Sequence, residues 1–572
     1  MRVIATAGHV DHGKSTLVRR LTGMEPDRWA EERRRGLTID LGFAWTELGG
    51  EEVAFVDVPG HERFVPTMLA GTGPVPAVAF VVAADEGWMP QSAEHLAALD
   101  AFGVAHALLV VTKADRADPA PATRAALAEF AGTSLGTVPA VAVSGTTGAG
   151  LDELRAALTR LATALPVPDP DGDVRLWLDR AFTIRGAGTV VTGTLGAGTI
   201  AVGDELVLGG TTVGVRGLHA LGTARERVSG VARVAVNLRG VPREAAARGT
   251  ALLTPDAWRA TEVADVRLRG AEELHREAVL HLGTAAVAVR VRPLGTDTAR
   301  LTLRRPLPLR AGDRGLLRDP GEHRIAAGVT VLDADPPGLT RRGAARARAA
   351  ELAAPDQAEA RLRRQGFARE QEFRALGLRP TGERVGGWLA DPARLAAIRA
   401  EAPEVVAAWG REHPVAAGMP TEELRRRLGL PAAELLPAVL GDLAVAGGVV
   451  RRRDAGLTAP VEAALAALDK HFSEHPFRAP EADELRALGL GRRELAAAVR
   501  LGRLTAVAEG VVLGPGAEAR AAAALAGVEQ PFTVSSARRA LDSTRRVMVP
   551  LLERLDAAGH TEPLGDGRRR AV

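Results

Sequence analysis

The sequence contains no cysteine. Disulfides and cysteine-ligated zinc sites are therefore excluded, and a soluble cytoplasmic protein is the expected class. Long apolar runs are also missing. The longest, AVAFVVAA at 77–84, falls far short of the ~20 residues of a transmembrane helix and reads as a buried strand. The N-terminal MRVIATAGHV runs straight into a strand and a Gly-rich loop, which is not the pattern of a signal peptide. Lysine is nearly absent: Lys14, Lys113 and Lys470 stand among 73 basic residues. That makes them informative, because a guanidinium does not replace a compact ammonium in a tight phosphate loop. A charge surplus is missing too, at +3 overall, and the stretch 530–572 alone carries eight Arg against five Asp and Glu.

What is present divides into regions of different character. At roughly 150 residues per domain, 572 residues suggest about four domains. In 1–166, strand-like runs (RVIATAG, VAFVDVP, AVAFVVAA, ALLVVTK, AVAVS) alternate with helical patterns such as KSTLVRRLTG, which predicts a parallel, doubly wound α/β domain. LPVPDPDGD at 165–173 reads as a linker. Short Val/Leu/Thr strands with Gly turns follow, predicting two β-barrels over 173–257 and 258–337. Ala/Leu/Arg helices dominate 346–572, in a weak repeat marked by HP at 413–414, HP at 475–476 and QP at 530–531. Each copy reads as helix, turn, helix and a short β pair, an α+β winged-helix pattern, with a poorer copy before them.

The chemistry sits near the N-terminus. Residues 8–15, GHVDHGKS, fit GxxxxGK[ST] between a strand and a helix. Asp11, His12, Gly13, Lys14, Ser15 and Thr16 are the expected phosphate-binding set, with Ser15 a Mg²⁺ ligand. In DVPGH, Asp57 can hold Mg²⁺ through water, Gly60 can offer its N–H to a γ-phosphate, and His61 can position an attacking water. Between them, RGLTID at 35–40 supplies Thr38, a second candidate Mg²⁺ ligand on a loop that can order and disorder. In TKAD, Asp115 can accept from guanine N1–H and the 2-amino group, while Lys113 lays its stem over the base. Ser144 and Gly145 would contact guanine O6.

The ordered set GHVDHGKS, RGLTID, DVPGH and TKAD resembles the translational GTPases, which have an α/β G domain and two β-barrels. RGLTIDLGF, DVPGHERF, VTKAD, DRAFTIRGAGTVVTGT at 179–194 and the winged helices make the chain similar, over its whole length, to the selenocysteine-specific elongation factors. That resemblance implies GTP/GDP and Mg²⁺ as cofactors and a ribosome-stimulated GTPase. It makes His61 the catalytic histidine, gated by Val10 and Leu37, and Thr38 a metal ligand only in the GTP state. It also implies a monomer that carries selenocysteinyl-tRNA to the ribosome and grips a hairpin in the mRNA. Asp179, Arg180 and Arg233 match the pocket for the selenocysteine side chain. A selenol is mostly ionised at neutral pH, so a basic pocket can separate it from neutral serine. Thr112 replaces the usual Asn of G proteins, and its shorter hydroxyl is expected to hold the base loop less firmly.

In the last repeat, Ser543 or Thr544 can cap a helix whose Val547, Leu551 and Leu555 face the core. Arg538, Arg539, Arg545, Arg546, Arg568, Arg569 and Arg570 are the candidate RNA contacts. Arg545 and Arg546 oppose the helix dipole, so helix stability does not account for them. Two other readings fit less of the chain. A general aminoacyl-tRNA or initiator-tRNA carrier leaves the winged helices without a role, and a GTP-sensing DNA-binding regulator leaves the barrels without one.

Overall fold

The computed structural model describes residues 1–26, 38–73, 75–186, 188–271, 274–321, 324–414, 416–452, 457, 459–564 and 567–572. The chain forms two compact units, Met1–Gly382 and Glu383–Val572.

The first unit opens with a six-stranded sheet made of β1 (Arg2–Ala7), β2 (Gly42–Leu48), β3 (Glu51–Asp57), β4 (Ala77–Ala83), β5 (His106–Thr112) and β6 (Ala140–Ala142), in the order 2-3-1-4-5-6. All neighbours are parallel except β2 on β3. Strand side chains alternate between faces, so a sheet covered on both sides is apolar throughout its central strands. Val3, Ala5, Val78, Phe80 and Val82 feed one core, and Ile4, Ala77, Ala79 and Val81 feed the other. Among the described residues five α-helices complete the domain: α1 (Lys14–Thr22), α2 (Val65–Thr72), α3 (Pro90–Phe102), α4 (Pro119–Ala131) and α5 (Leu151–Ala164).

Two β-barrels follow, as expected. In the first, Glu205–Leu208 pairs with both Thr211–Ala220 and Ala251–Leu253, which closes the ring. The second is a closed six-stranded barrel running from Ala260–Arg269 to Ile325–Asp333. It docks on α3. Leu316 joins the nucleotide-domain core, Arg314 donates to the Gly103 carbonyl at 2.8 Å, and a Cβ on Gly328 would lie 3.1 Å from Ala101 Cα. Helices Ala344–Leu352, Gln357–Gln365 and Glu370–Ala375 end the unit.

In the second unit three winged repeats are complete. Their first helices, Pro392–Glu412, Ala459–Glu474 and Ala517–Ala526, precede the HP, HP and QP markers. Each unit therefore begins one helix earlier than the sequence repeat indicated. The last two share one apolar core, from Ala464 to Leu555. Val547, Leu551 and Leu555 are fully buried, as their spacing predicted. The capping expectation is corrected: Thr544 occupies the N-cap without a side-chain bond, and Ser543 Oγ donates to the Phe477 carbonyl at 2.5 Å. Among the described residues no helix is long and apolar enough to cross a membrane.

Candidate nucleotide and aminoacyl sites

The loop after β1 can only be built with glycine at its two ends. Gly8 has φ +127°, and a Cβ there would lie 2.1 Å from the Val81 carbonyl oxygen. Gly13, at φ +84°, turns the chain into α1, and Asp11 between them is also left-handed. Lys14 is buried, its ammonium donating to the carbonyls of Gly8 at 3.0 Å and His9 at 2.7 Å. Two residues of α3 hold the loop from outside and were not singled out in the sequence. His95 Nδ1 accepts the Gly8 N–H at 3.0 Å, and Gln91 Oε1 accepts the Val10 N–H at 3.3 Å.

Burial, reinforced by the Lys14 charge, pushes the His95 imidazole down to about 3; burial pushes His12 down to about 4. Both rings are neutral at pH 7, as the acceptor role of His95 requires. An imidazole in the unfolded chain titrates near about 6.5. Below that pH the unfolded state takes up protons that the folded state refuses, so stability falls as pH drops from ~6.5 towards 4. Urea midpoints of the nucleotide domain are expected to fall across that window. His95→Gln, which keeps an acceptor for Gly8, is expected to flatten the fall; an unchanged pH profile would show that His95 does not carry it.

The candidate metal donors come from three segments. Ser15 Oγ lies 2.9 Å from Thr38 Oγ1. Asp57 is fully buried at the end of β3, and its Oδ1 accepts the Thr6 hydroxyl at 2.7 Å; Thr6 Oγ1 in turn accepts the Val58 N–H at 3.1 Å. Two hydroxyls and a carboxylate form an oxygen-only set that fits a hard divalent cation such as Mg²⁺. The Asp57–Gly60 turn presses on the phosphate loop. A Cβ on Gly60 would lie 2.4 Å from Lys14 Nζ and 2.6 Å from Val10 N. His61 follows, its Nδ1 accepting the Arg63 N–H at 3.3 Å, which leaves Nε2 as the other ring nitrogen. The turn thus packs Gly60, the residue before His61, against the backbone of Val10. Leu37, with Arg35 of the same motif, lies outside the described residues.

The candidate base loop is tied to the phosphate loop. Thr112 Oγ1 donates to the His12 carbonyl at 2.6 Å, so the shorter side chain still ties this loop to the phosphate loop. Lys113 sits at φ +55° with its ammonium 2.5 Å from Glu86 and 3.3 Å from Asp85. Burial alone would lower its pKa, and those carboxylates raise it. A hydrogen bond from Ser144 holds Asp115 below the usual carboxylate range, which keeps it ionised at neutral pH. Gly145 packs on α1, where a Cβ would come 3.2 Å from Thr16 Cγ2, and its carbonyl accepts from Arg20 Nε at 2.6 Å.

A second site lies where the first barrel meets β2. A cleft of about 220 Å³ is lined by Phe43, Arg180, Phe182, Thr192, His219 and Arg233 among others. A register shift between Leu178 and Arg180 offsets the strand there. The adjacent Asp179 and Arg180 do not pair with each other. Asp179 is buried, accepts the Thr192 hydroxyl at 2.6 Å and binds Arg233. Arg180 reaches across to Asp40 at 2.9 Å and to the Leu41 carbonyl. Both guanidiniums lie over Phe43, at 4.0 Å for Arg233 and 5.2 Å for Arg180. Phe43 and Asp40 are members of this site that the sequence reading missed.

In the last winged repeat Arg538, Arg539, Arg545, Arg568 and Arg570 are exposed. Arg546 is exposed as well and Arg569 is half-buried, and both have protein partners. Arg546 donates to the Pro480 carbonyl at 3.0 Å and pairs with Glu481 at 3.2 Å, fastening this repeat to the one before. Arg569 bonds Asp556 at 2.9 Å inside its own repeat.

Comparison with known proteins agrees with this geometry. The family model "Elongation factor Tu GTP binding domain" matches residues 1–164. "Selenocysteine-specific elongation factor, beta-barrel domain" matches 261–338, and "Elongation factor SelB, winged helix" matches 523–570. Elongation factor Tu 2 of Streptomyces avermitilis is 32% identical over 384 residues, covering 58% of this chain and 96% of that one. The selenocysteine-specific elongation factor of Escherichia coli is 39% identical over 353 residues, 60% of this chain and 56% of that one. The chain thus spans just over half the length of the curated selenocysteine factors it matches. The crystal structure of a bacterial selenocysteine-specific elongation factor, EF-Sec, shares the fold across 100% of both chains, at TM-score 0.72 and 24% identity. A P-loop domain with DVPGH and TKAD elements, joined to two barrels, defines a translational GTPase, and the guanine nucleotide is its ligand. The chain belongs to that class. Within it, the second barrel and the last winged repeat are similar to those of the selenocysteine-specific elongation factors.

Proposed function

We propose that this GTPase delivers selenocysteinyl-tRNA to ribosomes paused at a recoded UGA codon, while its winged helices hold a hairpin of the message. The observation that carries the reading is the cleft at Arg180, Arg233 and Phe43. It is built partly by the segment Asp40–Phe43, which begins two residues after Thr38. A selenolate entering there meets two guanidiniums, and a seryl hydroxyl gains nothing comparable from them. Because Arg180 is anchored on Asp40 and Leu41, ordering of Thr38 at the metal also completes the cleft. Cargo affinity then follows the nucleotide state.

In this reading Lys14 and the loop N–H groups hold the phosphates, and Thr112, Lys113, Asp115, Ser144 and Gly145 hold guanine. Ser15, Thr38 and Asp57 hold Mg²⁺, which shields phosphate charge when bound. His61 Nε2 orients the attacking water, and Val10 with Leu37 bars its approach until the ribosome engages. Residues 173–257 act on the aminoacyl end, and 346–572 act on the message through Arg538, Arg539, Arg545 and Arg568.

The test is protection of the aminoacyl ester. With factor and GTP, selenocysteinyl-tRNA should hydrolyse at least about tenfold more slowly, and seryl-tRNA should not be protected. Equal protection of the two, or of ordinary aminoacyl-tRNAs, would overturn the reading in favour of a general carrier.

A further inference from the structure

We propose that the cleft between the winged repeats 392–452 and 459–513 binds an unpaired RNA nucleotide, a contact separate from the terminal repeat. The proposal rests on the RNA half of the preceding reading. The cleft measures about 600 Å³, within the range of ~300–1,000 Å³ of small-ligand sites. Its walls include the apolar Val406, Met419 and Val450, and Leu501, which is 46% exposed.

On one wall Trp409 and His413 stack, with ring centroids 4.3 Å apart and planes 15° from parallel. Trp409 is the inner ring, 9% exposed, and His413 is the exposed one. His413 Nδ1 lies 3.1 Å from the Trp409 carbonyl. A carbonyl only accepts, so Nδ1 carries the proton and the ring is fixed in place. A flat, fixed, exposed ring backed by an indole is a platform for one more aromatic layer, and every nucleobase has such a face.

Charge selects the same ligand. Among the described residues, Arg411, Arg451, Arg452, Arg493 and Arg500 line the cleft against one carboxylate, Glu494. The whole chain, by contrast, is nearly balanced at 73 basic to 70 acidic residues. An apolar floor, a stacking ring and an arginine rim together match a base with its phosphates. A paired base has both faces covered and cannot lie on His413, so the site takes single-stranded RNA.

The full-length protein should be titrated with a labelled short oligoadenylate and with a duplex RNA of equal length. His413→Ala should weaken oligoadenylate binding about tenfold, and duplex binding less than twofold. Arg493→Gln with Arg500→Gln should lower the salt slope for oligoadenylate by about 1.4. His413 is exposed, so the variant is expected to melt like the parent; Trp409→Phe, which keeps a ring beneath it, should retain most of the binding. The proposal falls if His413→Ala leaves oligoadenylate binding unchanged, if duplex RNA weakens equally, or if polyglutamate displaces the RNA at comparable concentration. An Arg538→Ala, Arg545→Ala variant separates the two readings. Unchanged binding of a selenocysteine insertion hairpin there refutes the terminal-repeat contact, whereas oligoadenylate binding reports on the cleft alone.

Discussion

Replacing Asp265 with alanine is expected to cost about 3–5 kcal/mol of stability in the second barrel. Asp265 is fully buried on the strand Ala260–Arg269. Its carboxylate accepts from Arg300 Nε at 2.7 Å and Nη2 at 3.0 Å, and from Arg348 Nε at 2.7 Å. Arg348 is itself buried and continues to Asp333 at 2.6 Å, where Arg361 Nη1 arrives at 3.0 Å. Three carboxylate-linked guanidiniums thus stitch the barrel end to helices Ala344–Leu352 and Gln357–Gln365. An intact buried network of this kind contributes modestly, because desolvation offsets most of the attraction. Removing one member is expensive, because it strands the opposite charge in a low-dielectric interior. Asp265→Asn keeps an acceptor and should cost less than Asp265→Ala. A chain of several domains does not unfold in one step. The measurement is therefore urea-dependent hydrogen exchange of the 260–269 amides. A loss below about 1 kcal/mol would mean that the cluster behaves like surface ion pairs.

That network also shows where sequence reading stops. The nucleotide loop was legible because GHVDHGKS is local: each residue's role depends on neighbours within eight positions. Strand β4 was legible because all seven residues are buried, which leaves an apolar run with no polar interruption. Strand β2, GFAWTEL, was not anticipated. It lies at the sheet edge with an intermediate-to-exposed run at Trp45, Thr46 and Glu47, so neither an apolar run nor a regular alternation marks it. Asp265 and Arg348 look like surface charges in sequence, and they become a core only through partners 35 and 83 residues away. His95 and Gln91 are likewise 87 and 81 residues from the amides they hold. Arg545 and Arg546 share one electrostatic argument for RNA, but only Arg546 also reaches Pro480 and Glu481, partners in the preceding repeat that no local pattern encodes. In the cleft at Phe43 the residues were named from sequence, but their pairing was not. Asp179 and Arg180 are adjacent in sequence, but the strand offset gives them different partners.

Gly60→Ala should abolish GTP-dependent function while sparing GDP binding. The added Cβ would stand 2.4 Å from Lys14 Nζ, 2.6 Å from Val10 N and 2.8 Å from His9 C. Two of these are backbone atoms, so no rotamer change relieves the clash. One of the two segments must move. The phosphate loop is the harder to shift, since Gly8 is wedged against Val81, its N–H is held by His95, and His12 is held by Thr112. The Asp57–Gly60 turn is therefore expected to swing away, taking the Gly60 N–H and His61 from the γ-phosphate end. Thr112, Lys113 and Asp115 are untouched, so GDP affinity should change by less than about tenfold. Ribosome-stimulated hydrolysis should fall by 100-fold or more, the range expected when a positioned proton-transfer or water-orienting group is lost. If the proposed function holds, GTP should also lose its preference over GDP in protecting selenocysteinyl-tRNA, because the state that orders Thr38 and the Asp40–Phe43 segment is no longer favoured. Mant-nucleotide titration and single-turnover hydrolysis read the two effects separately. If GDP and GTP affinities fell equally, the phosphate loop would be the segment that yields, and the turn would not be the sensor of the γ-phosphate.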